Sequence, residues 1–384
     1  MLIQIPKKEY EARRKRVQEI MEKKGLDGLV VYFNEYYREN GRYLSNYWPQ
    51  VESGAVILSR SGRPLLAGGP EGQPYAREMS VIPDIRNVPE FMVEGEEYPG
   101  AKIETLKDIF KEVSHGKFRR VGIVGYTEMP VSVYHRMEKD LRGKEIVNVT
   151  ADFEKLRHIK SEIEIELLTK SAEIADLGME ALRKAIKAGE PEYKAAAAAD
   201  FAMKDAGAEG FGWSTMLMAG ERASSVLGRA SGRIFQEGEV VMASVSPLYQ
   251  GYAGALGRMV VVGGKISSEQ KKVFDIMLGA YDKAIEKLGP GVKGKDVDLA
   301  ARNYLKENGF GQYMLYGGAH SIGLREFEQP FFGPESECVI QPNMVVAIDI
   351  HAYGHPEFPG LRYEEVFVVT KEGKRPLSRC PRML

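Results

Sequence analysis

Two apolar segments near the C-terminal end carry carboxylates at positions that a β-strand would bury. The segment MVVAIDI at 344–350 is apolar enough to form a buried strand, and Asp349 lies within it. The segment GLRYEEVFVVTKEG at 360–373 predicts the next strand, whose alternation sends residues 362 and 364 to one face and residues 363 and 365 to the other. Because an ionised carboxylate is costly in a strand core unless it is paired, the sequence predicts a sheet with a compensated polar cluster.

The amino-terminal part of the chain alternates helices and strands. Residues 8–24 have the pattern of an amphipathic helix that stops at Gly25, and GLVVYF at 28–33 predicts a short buried strand. Further strands are predicted over 55–60, 65–69 and 119–126, with a helix over 103–114. The 384 residues are too many for one ordinary core. We therefore expect an α/β domain over residues 1–150 and a second domain over residues 151–384.

The second domain mixes long helices with strands. Helical spacing of apolar residues predicts helices over 151–188, 191–206, 268–288 and 292–311, with Pro191 at the start of the second and a stop near Gly309 for the last. Strands are expected in the stretches between the helices and toward the C-terminus. This order is typical of an α+β domain.

Composition excludes several classes of function. A net charge of −1 gives no electrostatic case for binding nucleic acid or a membrane surface. Two cysteines cannot build a disulfide framework, which fits a reducing, cytoplasmic setting. The N-terminal residues lack an apolar core of signal-peptide length, and no stretch approaches 18 uninterrupted apolar residues. We expect a cytoplasmic protein whose partner is a small molecule or a short peptide.

Several segments resemble one known superfamily. FEKLRHIKSEIEIELLTKSAEIA at 153–175, GGAHSIGLREFEQP at 317–330 and the two strand segments above resemble the pita-bread superfamily of creatinase, Xaa-Pro peptidases and methionine aminopeptidases. GRYLSNYWP at 41–49 resembles a segment of the creatinase amino-terminal domain. The resemblance extends over nearly the whole chain. It implies a small α/β creatinase-like domain followed by a pita-bread α+β domain, a hydrolase acting on C–N or peptide bonds, and a homodimer.

The same resemblance places the superfamily's metal ligands. In its metal-dependent members five ligands hold two divalent cations, and these positions fall on Ser244, Ala255, His320, Asp349 and Glu364. Two cations about 3.5–4 Å apart need bridging carboxylates, which serine and alanine cannot supply. Asp349 is also one methylene shorter than the superfamily's glutamate. We therefore predict no metal cofactor, with one divalent cation at His320, Asp349 and Glu364 as the alternative.

A site without metal would hold one imidazole and two carboxylates. We expect His320 to act as general acid and base, and Asp349 and Glu364 to bind a cationic group or position water. Their negative charge would recruit an internal cation, for which Arg258, Arg362 and Arg229 are candidates. These arginines are predicted substrate contacts, together with Tyr252, Glu328 and His351. Tyr252 could instead be a core aromatic, Glu328 a loop cap and His351 a proton carrier.

Three functions are compatible with this sequence. The leading prediction is a metal-independent, creatinase-like hydrolase that cleaves a C–N bond in a small cationic or amide substrate. The first alternative is a single-metal Xaa-Pro dipeptidase or aminopeptidase, in which the cation polarises the scissile carbonyl. The second is a non-catalytic binding protein that has kept the fold and lost the chemistry.

Overall fold

A computed structural model of the chain describes residues 3–60, 63–116 and 118–382. Contacts divide the chain into two units, with the division between Arg157 and His158. The boundary at residues 150 and 151 remains a prediction.

The amino-terminal unit is built on a mixed sheet flanked by helices. Strand order across the sheet is β4-β3-β2-β1-β5-β6, in which β1 pairs antiparallel with β2 and parallel with β5. The strands are β1 (Gly28–Phe33), β2 (Gly54–Ser59), β3 (Leu65–Gly68), β4 (Ile85–Asn87), β5 (Arg120–Val124) and β6 (Glu145–Asn148). The helices are α1 (Lys7–Lys24), α2 (Glu39–Ser45), α3 (Gln73–Met79), α4 (Leu106–Val113), α5 (Val131–Asp140) and α6 (Thr150–Glu154).

The carboxy-terminal unit is a large antiparallel sheet covered by helices. Its strands follow the order β14-β13-β15-β16-β12-β9-β8, with β17 beside β16, and a smaller sheet has the order β11-β10-β7. The strands are β7 (Gly210–Phe211), β8 (Met216–Ala219), β9 (Val240–Val245), β10 (Pro247–Tyr249), β11 (Tyr252–Ala253), β12 (Leu256–Val261), β13 (Ala319–Ser321), β14 (Glu328–Phe331), β15 (Val345–Tyr353), β16 (Gly360–Val369) and β17 (Lys374–Pro376). The helices are α7 (Glu162–Ala185), α8 (Glu192–Asp205), α9 (Ser268–Lys287) and α10 (Gly294–Glu307).

Helix ends follow local capping signals. Gly25 closes α1 in the left-handed conformation with a φ of 67°, as the sequence predicts. The helix predicted over 151–188 is interrupted, because Ser161 and Glu164 form a capping box that starts α7 after α6 has ended. Helix α10 stops at Glu307 because Gly309, with a φ of 83°, leaves the helical region. Across the described ranges, no helix has the length and apolar character that a membrane span requires.

Strand alternation separates an apolar face from a polar one. Tyr363 of β16 belongs to the core under α9 and α10, and its ring lies 4.4 Å from that of Tyr281. Asp349 pairs directly with Glu364 across β15 and β16, and both side chains point to the opposite face. The prediction that residues 362 and 364 share one face is confirmed by this register. Burial of the apolar face therefore fixes where the acids must lie.

Candidate functional site

Three adjacent strands bring His320, Asp349 and Glu364 together. His320 lies on β13, Asp349 on β15 and Glu364 on β16, and one ligand atom of each lies within 4.8 Å of the other two. All three side chains are buried. Short β13 pairs with β15 through His320 and Ala347, which places the imidazole above the same sheet face as the acids. The trio that the sequence predicts is thus one cluster in the fold.

Arg362 is the internal cation of this cluster. Its Nε lies 2.8 Å from Asp349 Oδ1 and its Nη2 lies 3.1 Å from Oδ2, so the pair is bidentate. The same Nη2 lies 2.9 Å from Glu364 Oε2. Although burial opposes ionisation, the guanidinium lowers the pKa of Asp349 below its usual value. Arg362 therefore supplies the compensation that a buried Asp349 requires.

A third buried acid, Glu326, lies near the same imidazole nitrogen as Glu364. Its Oε1 lies 3.9 Å from His320 Nε2, whereas Glu364 Oε1 lies 3.7 Å from the same nitrogen. Burial raises the pKa of Glu326 well above its usual value. Sequence reasoning missed this residue, because an acid between Arg325 and Phe327 has the pattern of a solvated charge. The available signal was its place six residues after His320, in a chain that lacks two expected carboxylates.

His320 has a defined orientation. Its Nδ1 lies 3.0 Å from the carbonyl oxygen of Ser321, which can only accept, so Nδ1 carries a proton and Nε2 faces the acids. Burial by itself would lower the pKa of His320, but Glu364 and Glu326 outweigh it and raise the pKa to about 9. The imidazole is thus held ready either to carry a proton or to present Nε2 as a ligand.

His351 lies beside the trio without carrying charge. Its ring stacks on Tyr316 at 3.5 Å, and its Nε2 accepts the Tyr316 backbone N–H at 3.2 Å. Burial lowers the pKa of His351 to about 4, so it is neutral near pH 7. The Tyr316 hydroxyl donates to Asp349 Oδ2 at 3.2 Å. Tyr316, which sequence reasoning also missed, thus orients the acid, and His351 supports that tyrosine.

Arg258 lies on the other face of the sheet. Its guanidinium donates to the carbonyl oxygens of Glu364 and Pro381, each at 2.9 Å, and lies 4.3 Å from the ring centroid of Tyr363. The structure therefore places Arg258 away from the trio, and its contact with substrate stays a prediction. The reason is register: Gly257 pairs with Glu364 on the polar face, so the next residue points away.

Other predicted contacts have partners or surroundings elsewhere. Tyr252 donates its hydroxyl to Glu164 at 2.9 Å, as a buried core aromatic. Glu328 accepts from Lys160 at 2.9 Å in a buried ion pair. Arg229 is exposed in the chain segment that follows β8. The structure does not bring these side chains into the cluster, because buried partners or solvent already satisfy their polar groups.

The two degenerate ligand positions carry no charge. Ser244 pairs with Gly257 in the register of β9 and β12, and its hydroxyl donates to Glu364 Oε2 at 3.4 Å. Ala255 is buried and carries only a methyl group. Neither position thus supplies the carboxylate that the superfamily resemblance implies there.

Comparison with known proteins places this arrangement in a family. Residues 166–371 match the Metallopeptidase family M24, and residues 13–159 match the Creatinase/Prolidase N-terminal domain. An Xaa-Pro dipeptidase of Pyrococcus horikoshii is 29% identical over 370 residues, which are 96% of this chain and 97% of that protein. An Xaa-Pro dipeptidase of Pyrococcus furiosus is 28% identical over 320 residues, which are 83% of this chain and 88% of that protein. The crystal structure of the prolidase from P. horikoshii OT3 is similar with a TM-score of 0.83 and 27% identity, over 97% of this chain and 99% of that one.

These comparisons confirm part of the sequence prediction and overturn part of it. The superfamily, the fold class and the hydrolase class are confirmed. A metal-independent, creatinase-like hydrolase is wrong, because the whole-chain relatives are Xaa-Pro dipeptidases, and the dipeptidase alternative agrees better. The prediction of no metal cofactor is wrong as well, because the matched family is one of metallopeptidases and the trio forms a set of metal-binding donors. That prediction gave two missing carboxylates more weight than the likeness of the whole chain.

Proposed function

Because the chain belongs to metallopeptidase family M24, we propose that it hydrolyses Xaa-Pro dipeptides with a single divalent cation. The observation that carries the proposal is the buried donor set of His320, Asp349 and Glu364, within 4.8 Å of one another on a fold similar from end to end to a prolidase. The proposed catalytic residues are those three. A short peptide is the proposed substrate, as in the relatives' names.

The cluster does not fit a pair of cations. Two cations about 3.5–4 Å apart need carboxylates on several sides, and Ser244 and Ala255 provide none. The guanidinium of Arg362 also lies against both Asp349 and Glu364, at 2.8 and 2.9 Å. One positive group of the protein thus occupies the carboxylates that a second cation would need.

A single cation fits the remaining donors. Glu364 Oε1 is buried and has no hydrogen-bond partner among the residues that the structure describes. His320 Nε2 faces that oxygen at 3.7 Å, with its tautomer set by Ser321. A divalent cation bound to such donors polarises a carbonyl and makes a bound water more acidic.

The other residues of the cluster position these groups. Arg362 holds Asp349 and Glu364 in fixed orientations by its fork of N–H donors. Tyr316 fixes Asp349 Oδ2, and His351 fixes Tyr316. The ring of Phe327 packs 4.6 Å from the imidazole of His320 and restricts its rotation. Together these contacts limit the reorganisation that a reaction at this face would require.

The proposal includes a homodimer in a cytoplasmic setting. The resemblance to the pita-bread superfamily supports the first. The low cysteine content supports the cytoplasmic setting. Size-exclusion chromatography with light scattering tests the dimer, and a single mass near 42.8 kDa would contradict it.

Proline release from dipeptides tests the activity. Protein stripped with EDTA is assayed with Met-Pro and Ala-Pro, without metal and with Mn²⁺, Co²⁺ or Zn²⁺. We expect hydrolysis only after a cation is added, and a loss of at least about 10–100-fold in His320→Ala, because the cation loses a ligand. His135→Ala is the matched control, because His135 is an exposed histidine that lies 3.5 Å from the exposed acid Glu138. Folded protein that releases no proline with any of the three cations would refute the proposal and favour the non-catalytic alternative.

A further inference from the structure

Glu326 is a buried carboxylate without a hydrogen-bond partner in the described part of the chain. The side chain is 3% exposed, and this lack of a partner applies to both Oε1 and Oε2. The surroundings are tight: a Cβ added to Gly212 would lie 2.9 Å from Glu326 Cβ. An ionised carboxylate at this position would be strongly destabilising without a positive partner, and a bound cation would supply that partner.

The direction of Glu326 identifies which groups would share that cation. Its Oε1 lies 3.9 Å from His320 Nε2, and Glu364 Oε1 lies 3.7 Å from the same atom. In an octahedral shell with bonds of about 2.1 Å, neighbouring ligand atoms lie about 3 Å apart and opposite ones about 4.2 Å apart. Both distances fall between these limits. Small side-chain rotations would therefore bring both carboxylates onto one ion with the imidazole.

The charges of the cluster also separate into one group around Arg362 and another around the imidazole. Arg362 lies against both oxygens of Asp349 and against Glu364 Oε2, which leaves Glu364 Oε1 and Glu326 facing the imidazole. Three carboxylates and one guanidinium sum to −2. One divalent cation beside a neutral imidazole brings the buried cluster to zero. A second divalent cation would leave it at +2.

We propose that Glu326 is a ligand of a single divalent cation, together with His320 and Glu364, and that it takes the part of a carboxylate absent at Ser244 and Ala255. In this arrangement Arg362 is a fixed positive group that serves Asp349. The inference rests on the single-cation function proposed above, and it replaces Asp349, whose two oxygens are held by Arg362, with Glu326 as the third ligand.

Calorimetric titration with MnCl₂ tests the assignment without any activity measurement. Protein stripped with EDTA and transferred to chelator-free buffer is titrated as wild type, Glu326→Gln and Glu328→Gln. We expect about one Mn²⁺ per wild-type chain, and an affinity about 10–100-fold lower in Glu326→Gln. Glu328→Gln is the matched control, since Glu328 is a buried acid two residues away that is paired with Lys160. Its Mn²⁺ affinity should stay within about twofold of wild type.

The outcomes separate this inference from the proposed function. Wild type that binds no Mn²⁺, or Glu326→Gln that binds it as tightly as wild type, would overturn the ligand assignment. If Glu326→Gln does not fold, as judged by circular dichroism, Glu326→Asp replaces it in the titration. This variant keeps the charge but shortens the side chain by one methylene, and an unchanged Mn²⁺ affinity would again overturn the ligand assignment. If Mn²⁺ affinity depends on Glu326 but the protein releases no proline, only the proposed function is refuted. If the protein releases proline but Glu326→Gln leaves its Mn²⁺ affinity unchanged, only the assignment of Glu326 as a ligand is refuted.

Discussion

Replacing Arg362 with methionine tests whether its guanidinium is the internal cation of the cluster. Methionine preserves much of the volume and removes the charge that lies 2.8 Å from Asp349 and 2.9 Å from Glu364. Both acids are 2% exposed or less, so water cannot stabilise their charges in place of the guanidinium. Breaking a buried ion pair in this way costs about 3–5 kcal/mol. For a unit of this size, that corresponds to a fall in melting temperature of roughly 10 °C.

The assay is thermal unfolding followed by circular dichroism, in EDTA and with Mn²⁺. Arg382→Met is the matched control, because Arg382 also lies 2.8 Å from a carboxylate, that of Asp282, but both side chains are about half exposed. An exposed pair contributes less than about 1 kcal/mol. We expect Mn²⁺ to raise the melting temperature of Arg362→Met more than that of wild type, because the freed carboxylates gain a cation. A ligand present at 100 times its Kd adds about 2.7 kcal/mol to the free energy of unfolding.

A double variant isolates the electrostatic cause. In Arg362→Met with Asp349→Asn, the acid left without its cation is neutral, so part of the lost stability should return. The reasoning is refuted if Arg362→Met costs no more than Arg382→Met, or if the added Asp349→Asn lowers stability further in EDTA.

Two further predictions concern buried charges away from this cluster. Lys160→Met should lower the free energy of unfolding by about 3–5 kcal/mol in urea, because Glu328 then keeps a buried charge without its 2.9 Å partner, and Lys160→Arg should recover part of that loss. In the amino-terminal unit, burial raises the pKa of Glu90 from 4.5 to about 7. The acid is protonated in both states below about pH 4.5. Between about pH 4.5 and 7 only the unfolded state ionises, so the free energy of unfolding falls by roughly 3 kcal/mol over that interval and stays at the lower value above it. Glu90→Gln should therefore be more stable than wild type at pH 8 and equal to it at pH 4, whereas a difference that is constant with pH would contradict this cause.

Helices and strands were predictable where the signal is local. Gly25 ends α1 and Pro191 precedes α8, as the sequence indicates, because φ preferences act within a few residues. The period-two alternation of strand residues is enough to place Arg362 and Glu364 on one face of β16. The missed interruption before α7 depends on a capping box, which apolar spacing does not reveal.

The choice among the three arginines needed the register of the sheet. Asp349 had to be compensated, and its burial was evident from MVVAIDI. Which cation compensates it follows from the pairing of β15 with β16, in which His351 is opposite Arg362 and Asp349 is opposite Glu364. Arg362 is thus one diagonal step from Asp349. Arg258 also lies near Glu364, since its neighbour Gly257 pairs with that residue, but its side chain points to the other face of the sheet.

By itself the sequence indicated the family through the resemblance of its segments. Its periodicity also indicated most of the elements and the need of a buried Asp349 for positive charge, because periodicity records which residues leave water. Tertiary structure alone decided that Arg362 meets that need and that Glu326 faces His320. Those contacts join residues far apart in the chain or lie in a loop without periodicity. Their energies depend on distance and burial, which only the folded arrangement of strands defines.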